Sequence, residues 1–449
     1  MPNSIFSQDS NLRTNILFCV ILCVNLCLLL FAIGGMSIHY KEAAGVFYSN
    51  DFVFVIARYC ISLFGQNDYA LRAPFMLIHA CNMFLLYRIS RIYLKKPSDA
   101  LVVVLIYALL PGVMFSALFV IKSGIIIFVT LLCCYYQLKT QKMPYIVMLL
   151  ALFLDGSFAI LFFALFFFAL KTKNVLGMFV SLLFFALNLH FLGLDISGIP
   201  RNHFMSNLGQ MALFFSPLLL VYYCYTLFNA LKKQTNILVD IGATSMFFVM
   251  LLSIRQEVDL ENLFPMSVVA LPVAVKQFFS DMRIRLSPFR ANYVWRFVVI
   301  LTFLCAQSFV LYYNKILYLF GTENHFASSR YISKELAHAL HDMGISAIGV
   351  GSDKLALPLR FYGIEQAQKP YLLPMQNLNE HYENEIPIIY LGKKIASFVV
   401  LPSKQSSPMT TTQARLKQKS KDSKKLKAKK LADEVDSTQS LDTPVNLLP

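Results

Sequence analysis

Between residues 15 and 313 the chain returns repeatedly to apolar runs long enough to cross a bilayer, separated by short polar breaks. A span needs about 20 predominantly apolar residues, and inside lipid every backbone polar group must be satisfied by its own helix. That pattern rules out an ordinary soluble fold. Composition agrees: 57% of the residues are hydrophobic and only 14% are charged, where soluble domains carry about a quarter charged residues. The sequence therefore reads as a polytopic α-helical membrane protein.

Runs at 15–35, 73–89, 100–111, 125–136, 143–170, 174–192, 211–231, 237–254, 264–279 and 293–313 carry the signal. Asp155-Gly156-Ser157 divides 143–170 into two short spans joined by a tight turn, which brings the expectation to about eleven spans. Basic residues fix the orientation. Arg88, Arg91, Lys95 and Lys96 cluster after the second run. Lys139 and Lys142, Lys171 and Lys173, Lys232 and Lys233, and Lys276, Arg283, Arg285 and Arg290 follow in alternate breaks. The positive-inside rule places these breaks in the cytoplasm and the segment 36–72 outside. The first run is too long for a signal peptide and lacks a clear small-residue cleavage site, so a retained anchor is expected.

The formal net charge of +15 does not reach into this membrane part evenly. Residues 404–430 alone hold ten Lys or Arg and one Asp; a solvated, disordered tail over 402–449 is expected, rather than a nucleic-acid or lipid-headgroup contact. Cys19, Cys23, Cys27, Cys81, Cys133, Cys134, Cys224 and Cys305 fall in apolar runs and Cys60 in a loop. No disulfide framework is implied. Cys19, Cys23 and Cys27 have helical spacing without a His or carboxylate beside them, which fits a packing stripe. After residue 313 the composition turns globular. Helical spacing over 328–343 and strand-like runs at 346–352, 386–391 and 396–401 suggest a small α/β domain over 314–401. It would lie outside the cytoplasm. Its GVGSDK (349–354) is too short a glycine pattern to bind a dinucleotide.

The polar residues that invite chemistry cluster on the outer side. Segment 38–72 interleaves Lys41, Glu42, Asp51, Arg58 and Arg72 with many aromatic and branched residues, as suits a helix lying along a bilayer surface and walling a site there. A membrane enzyme acting on a lipid phosphate needs cations for the phosphate and a carboxylate for the acceptor hydroxyl. Glu42, at the exit of the first span, is the first candidate carboxylate; an interfacial Glu paired with Lys41 would look the same. Asp51 is a second, although SND and QND, the latter containing Asp68, also suit turns and caps. Lys122 and Asp155 stand in short turns near membrane depth, where ionisable groups are costly and often functional; Lys122 holds a phosphate or merely snorkels. Lys41, Arg72, Lys122, Arg201, His203 and Arg255 make up the possible phosphate set. His79 and His190 lie on apolar faces and read as packing residues. No His, Cys or acidic residues show metal-ligand spacing, so a protein-built metal site is disfavoured and no cofactor is expected, with a divalent metal left as an alternative that has no ligand motif.

The stretch LFGQNDYALRAPFMLIHACNMFLLYRISRIYL (63–94), behind an anchor and an outer loop that opens with an acid, resembles the multispan glycosyltransferases of the GT-C class. The protein O-mannosyltransferase-like and lipid A aminoarabinose transferase-like families are the nearest in character. Phe64-Gly65, Leu71 and Arg72 match that stretch; ALLPGVMFSALFVIKSG (108–124) is similar to the family's third-span exit, and RNHF (201–204) to its polar substrate loop. The resemblance spans roughly 15–320. Two departures stand out: the family's Asp-Glu pair is Lys41-Glu42 here, and the acid at the next outer turn is replaced by Ser123-Gly124 after Lys122. The resemblance implies a bacterial inner-membrane enzyme with an inverting transfer. A sugar would pass from a polyprenyl-phosphate donor within the membrane lipids to a lipid A, surface glycan or protein acceptor. Glu42 would act as base or acceptor-positioning group, and Lys41, Lys122, Arg201 and Arg255 would hold the phosphate. A catalytically degenerate scaffold, favoured by the missing acids, and a flippase for a lipid-linked glycan are the competing expectations.

Overall fold

The computed structural model describes residues 3–194, 203–233, 236–316, 318, 331–375 and 385–401. Among these, six helices are long and apolar enough to cross a membrane: Asn11–Gly35, Asp68–Tyr93, Ser123–Thr140, Ile237–Arg255, Leu260–Ile284 and Ser287–Tyr312. Three further pairs of helices pass the same test taken together across a bend, for at most nine spans if each bent pair counts as one. The chain is a multi-pass membrane protein, mostly helical, with a small sheet near its C-terminus.

Each bend has a local cause. Pro111 opens Pro111–Leu118 directly after Leu110 leaves the helical region, so Pro97–Leu109 and the next helix meet at 63°; proline lacks the N–H that would continue the ladder and clashes with the preceding turn. Ser216, at a φ of 74°, and Pro217 break Phe204–Phe215 from Pro217–Lys233 at 95°. The run expected over 211–231 thus straddles the end of one helix and most of the next, which cross at nearly a right angle. Segment 36–72 forms Tyr40–Tyr48 and Phe52–Phe64, bent by 84°, in place of one surface helix. Within 143–170, Tyr145–Leu152 has 8 residues, roughly 12 Å of helix and well short of a bilayer. The expected count of about eleven treated such pieces as spans.

The helix Asp68–Tyr93 is the organising element. It touches Asn3–Gly35, Phe52–Phe64, Pro97–Leu109, Pro111–Leu118 and Ser123–Thr140. Where Asp155-Gly156-Ser157 turns the chain, a Cβ on Gly156 would collide with the carbonyl oxygen of Gly193, so only glycine fits that approach. Cys19, Cys23 and Cys27 are exposed on the first helix, and so do not form the packing stripe their spacing suggested; the apolar surface around them is left for lipid.

The C-terminal unit has the helix Ile332–Asp342, strand β1 (Ala347–Val350), the helix Asp353–Phe361, and strands β2 (Glu365–Pro374), β3 (Glu385–Tyr390) and β4 (Lys393–Leu401). The sheet order is β1-β2-β4-β3, with β1 parallel to β2 and the other pairs antiparallel. Leu391 and Gly392 turn β3 into β4 with φ of 50° and 76°, the doubly positive pattern of a type I′ hairpin. Both β2 and the helix 353–361 are additions to the sequence reading. The tail 402–449 lies outside the described residues.

This unit docks on the membrane bundle through polar contacts. Asp68, 3% exposed, accepts from the Tyr362 hydroxyl at 2.7 Å and pairs with Lys334 at 2.9 Å. Phe361 joins a buried cluster with Ile38, Ala43, Val46, Val53, Phe75 and Val120.

Candidate functional site

The helix Tyr40–Tyr48 begins with a capping box. His39 is extended and its Nδ1 accepts from the Lys41 N–H, while Glu42, three residues on, reaches back to accept from the His39 N–H at 3.1 Å. Such reciprocal bonds satisfy two of the donors that a helix start leaves open. The other carboxylate oxygen of Glu42 accepts from the Val120 N–H at 3.2 Å, in the loop between Pro111–Leu118 and Ser123–Thr140. One side chain therefore ties the first helix of segment 36–72 to the loop before the span at 123.

Arg72 completes the arrangement. Its guanidinium lies 3.7 Å from Glu42 and donates to the carbonyls of Met36 and Ser37, both at 3.4 Å. It is 0% exposed. A phosphate cannot reach it, so the expected role of Arg72 as an anion ligand is replaced by that of a buried partner for Glu42. The plain alternative for Glu42, a pair with Lys41, is replaced in the same way.

Glu42, its side chain 8% exposed, nevertheless borders a cavity. With His39, Lys41, Phe54, Gly112, Phe119, Val120, Ser123, Phe214 and Glu261 it lines a hollow of about 580 Å³. The wall is aromatic, with cations and carboxylates at a few points, which is the usual make-up of a small-molecule site. Ser123 opens an 18-residue helix, so the N-terminus of that helix, its positive end, borders the hollow. Glu261 is carried by the four-residue helix Leu260–Leu263, and the Ser123 hydroxyl donates to its carbonyl oxygen.

The other sequence candidates are dispersed. Lys122, next to the hollow-lining Ile121 and Ser123, turns away and bridges Asp155 at 3.1 Å and Asp51 at 3.5 Å. Burial works against its charge, and the hydrogen bond and charge of Asp155, helped by Asp51, outweigh it, so its ammonium titrates above the ordinary lysine value. Asp51 begins Phe52–Phe64, half exposed, and serves Lys122 in place of the hollow. His203 precedes Phe204–Phe215 without capping it, and Arg255 is exposed at the end of its span; neither lines the hollow. Arg201 lies outside the described residues. Of the proposed phosphate set, Lys41 alone shares the hollow with Glu42 among the described residues. No group of three or more His, Cys, Asp or Glu comes together as a metal site among the described residues.

Two titratable lining residues, His39 and Glu261, escaped sequence reasoning. The His39-x-x-Glu42 spacing is that of a capping box, but a histidine stands where the sequence signature has Ser or Thr, which hid it. Glu261 gave no such signal, because a short helix in an acidic loop has no period to detect.

No family model matches the sequence, and no curated protein does. Solved structures do. The fold is similar to that of ArnT from Cupriavidus metallidurans bound to undecaprenyl phosphate, with a TM-score of 0.51 over 85% of this chain and 97% of that one, at 13% identity. The apo structure of the same protein aligns with a TM-score of 0.49 over 76% and 84% of the two chains, also at 13% identity. The chain thus has a GT-C-like fold, the architecture implied by the resemblance in its segment 63–94.

Proposed function

We propose that this protein is a membrane glycosyltransferase that moves a sugar from a polyprenyl-phosphate donor to an acceptor hydroxyl in the hollow beside Glu42. One observation carries the reading. A carboxylate anchored by two backbone amides and a buried arginine lines a hollow with Lys41 and a helix N-terminus, at the head of a multi-pass bundle. The similar fold holds undecaprenyl phosphate, which makes a lipid-linked phosphate the natural donor. Such a donor diffuses in the bilayer and presents its phosphate at headgroup depth, where Lys41 and the start of Ser123–Thr140 meet it.

In the transfer the acceptor oxygen attacks the anomeric carbon as the bond from that carbon to the phosphate oxygen breaks. The electron pair stays with the phosphate, and polyprenyl phosphate leaves. The acceptor proton passes to Glu42. Lys41 and the helix dipole stabilise the charge that develops on the leaving phosphate, a term that is usually large in a site shielded from water. Holding donor and acceptor together in the hollow supplies the rest. The face bearing segment 36–72 is the extracytoplasmic one in this reading, and the acceptor is a lipid A, surface glycan or protein hydroxyl.

Purified protein in liposomes, given a polyprenyl-phosphate hexose and a membrane acceptor fraction, tests this. Transfer by the parent that is lost in Glu42→Gln and lowered in Lys41→Ala is the expected outcome. A folded parent that never releases polyprenyl phosphate from any such donor would end the enzymatic reading and leave the scaffold or flippase.

A further inference from the structure

The link between the first helix and Tyr40–Tyr48 has no ladder of its own, so its backbone polar groups must find partners elsewhere. They find side chains. Lys334 donates to the Gly34 carbonyl at 3.1 Å, and Arg72 donates to the carbonyls of Met36 and Ser37. The Ile38 N–H donates to the Tyr362 hydroxyl at 2.8 Å. That hydroxyl in turn donates to Asp68, which also pairs with Lys334. Two of these partners, Lys334 and Tyr362, belong to the C-terminal unit. The next residue in the chain is His39, whose N–H sits on Glu42.

From this chain of contacts we infer that the C-terminal unit positions the carboxylate of the site, with Tyr362 as the positioning residue and Asp68 and Lys334 holding it. The inference rests on the transferase reading for its meaning, but not for its geometry. Tyr362 both accepts from Ile38 and donates to Asp68, which only a protonated phenol can do. Burial, together with the charge and hydrogen bond of Asp68, keeps it so by raising its titration above the ordinary tyrosine value. Phe361 pins the same corner from the apolar side, packed with Ile38, Ala43 and Val120. Arg360 stacks 4.6 Å over the Phe47 ring on the helix that carries Glu42. The unit therefore grips the link, the helix and the Val120 loop at once.

Amide exchange reads the bonds of Ile38, His39 and Val120 directly, because there the donors are backbone N–H groups. In the full-length protein, Tyr362→Phe removes one oxygen and leaves the ring. Its expected effect is faster exchange at Ile38 and also about tenfold faster exchange at His39 and Val120, whose acceptor is Glu42. Strands β1 and β4 keep their protection. Lys334→Met should act in the same direction more weakly, and it carries the test if Tyr362→Phe does not fold. In the transfer assay the rate constant falls while the donor KM holds. Faster exchange confined to Ile38 would overturn the inference, and so would a loss spread through the C-terminal sheet. A parent without transfer activity would sink the proposed function, while the exchange pattern would still decide this one.

Discussion

Two acid–base groupings act on the same short loop, and they are built in opposite ways. Glu42 holds the Val120 N–H and pairs with Arg72, both nearly sealed from solvent. Two residues along, Lys122 bridges Asp155 and Asp51 with its own side chain 22% exposed and Asp51 53% exposed. The first grouping uses backbone amides and carbonyls as well as charge, so its geometry is fixed from several sides. The second has two carboxylates for one ammonium, Asp155 largely buried and Asp51 half exposed. The contrast separates a carboxylate fixed from several sides from an ammonium held only by two carboxylates, one of them half exposed.

The largest expected effect comes from breaking the sealed grouping. Arg72→Met leaves Glu42 buried without its cation, which should cost about 3–5 kcal/mol of stability. Thermal unfolding of the detergent-solubilised protein checks it, and a loss under 1 kcal/mol would place Arg72 with the surface pairs. Next comes the hollow that Glu42 faces. A Cβ on Gly112 would strike the Phe214 ring, so Gly112→Ala should cost about 1–3 kcal/mol or push that ring into the hollow. Reduced donor binding with little change in the unfolding temperature is the second of these outcomes, and either one shows the wall to be tight.

Smaller effects belong to the open grouping. A double-mutant cycle on Lys122→Met and Asp155→Asn should give a coupling of about 1 kcal/mol or less. A value near that of the Arg72 pair would erase the distinction. The pH dependence of Lys122 follows from its raised titration. Its pairing is fully present below the ordinary lysine value of 10.5 and is lost as pH rises through the higher folded value. Parent and Lys122→Met should therefore converge in stability only at strongly alkaline pH.

The sequence made the bundle legible because apolar length is a coarse signal that survives any detail of packing. It failed at the breaks. Tyr145–Leu152 and Phe204–Phe215 are as apolar as true spans, and only their neighbours decide that one is short and the other turns aside. In the C-terminal unit, β2 was hidden because most of its length is polar or half exposed, although it lies between β1 and β4. Pro358 hid the helix Asp353–Phe361. Within the site, Glu42 and Lys41 were legible as charges at a span exit. The buried position of Arg72 was not, since an arginine beside a carboxylate reads the same whether it meets a ligand or closes a core. Asp68 looked like a cap and is the seat of the C-terminal unit instead.

The account stands or falls on where a donor's phosphate sits. A structure of the protein with undecaprenyl phosphate, solved in a lipid nanodisc, tests this most directly. The account predicts the phosphate in the hollow lined by Glu42, Lys41 and Ser123, within hydrogen-bond distance of the Lys41 ammonium. A phosphate bound instead among Lys139, Lys142 and Lys171 on the basic face, with the Glu42 hollow empty, would contradict it.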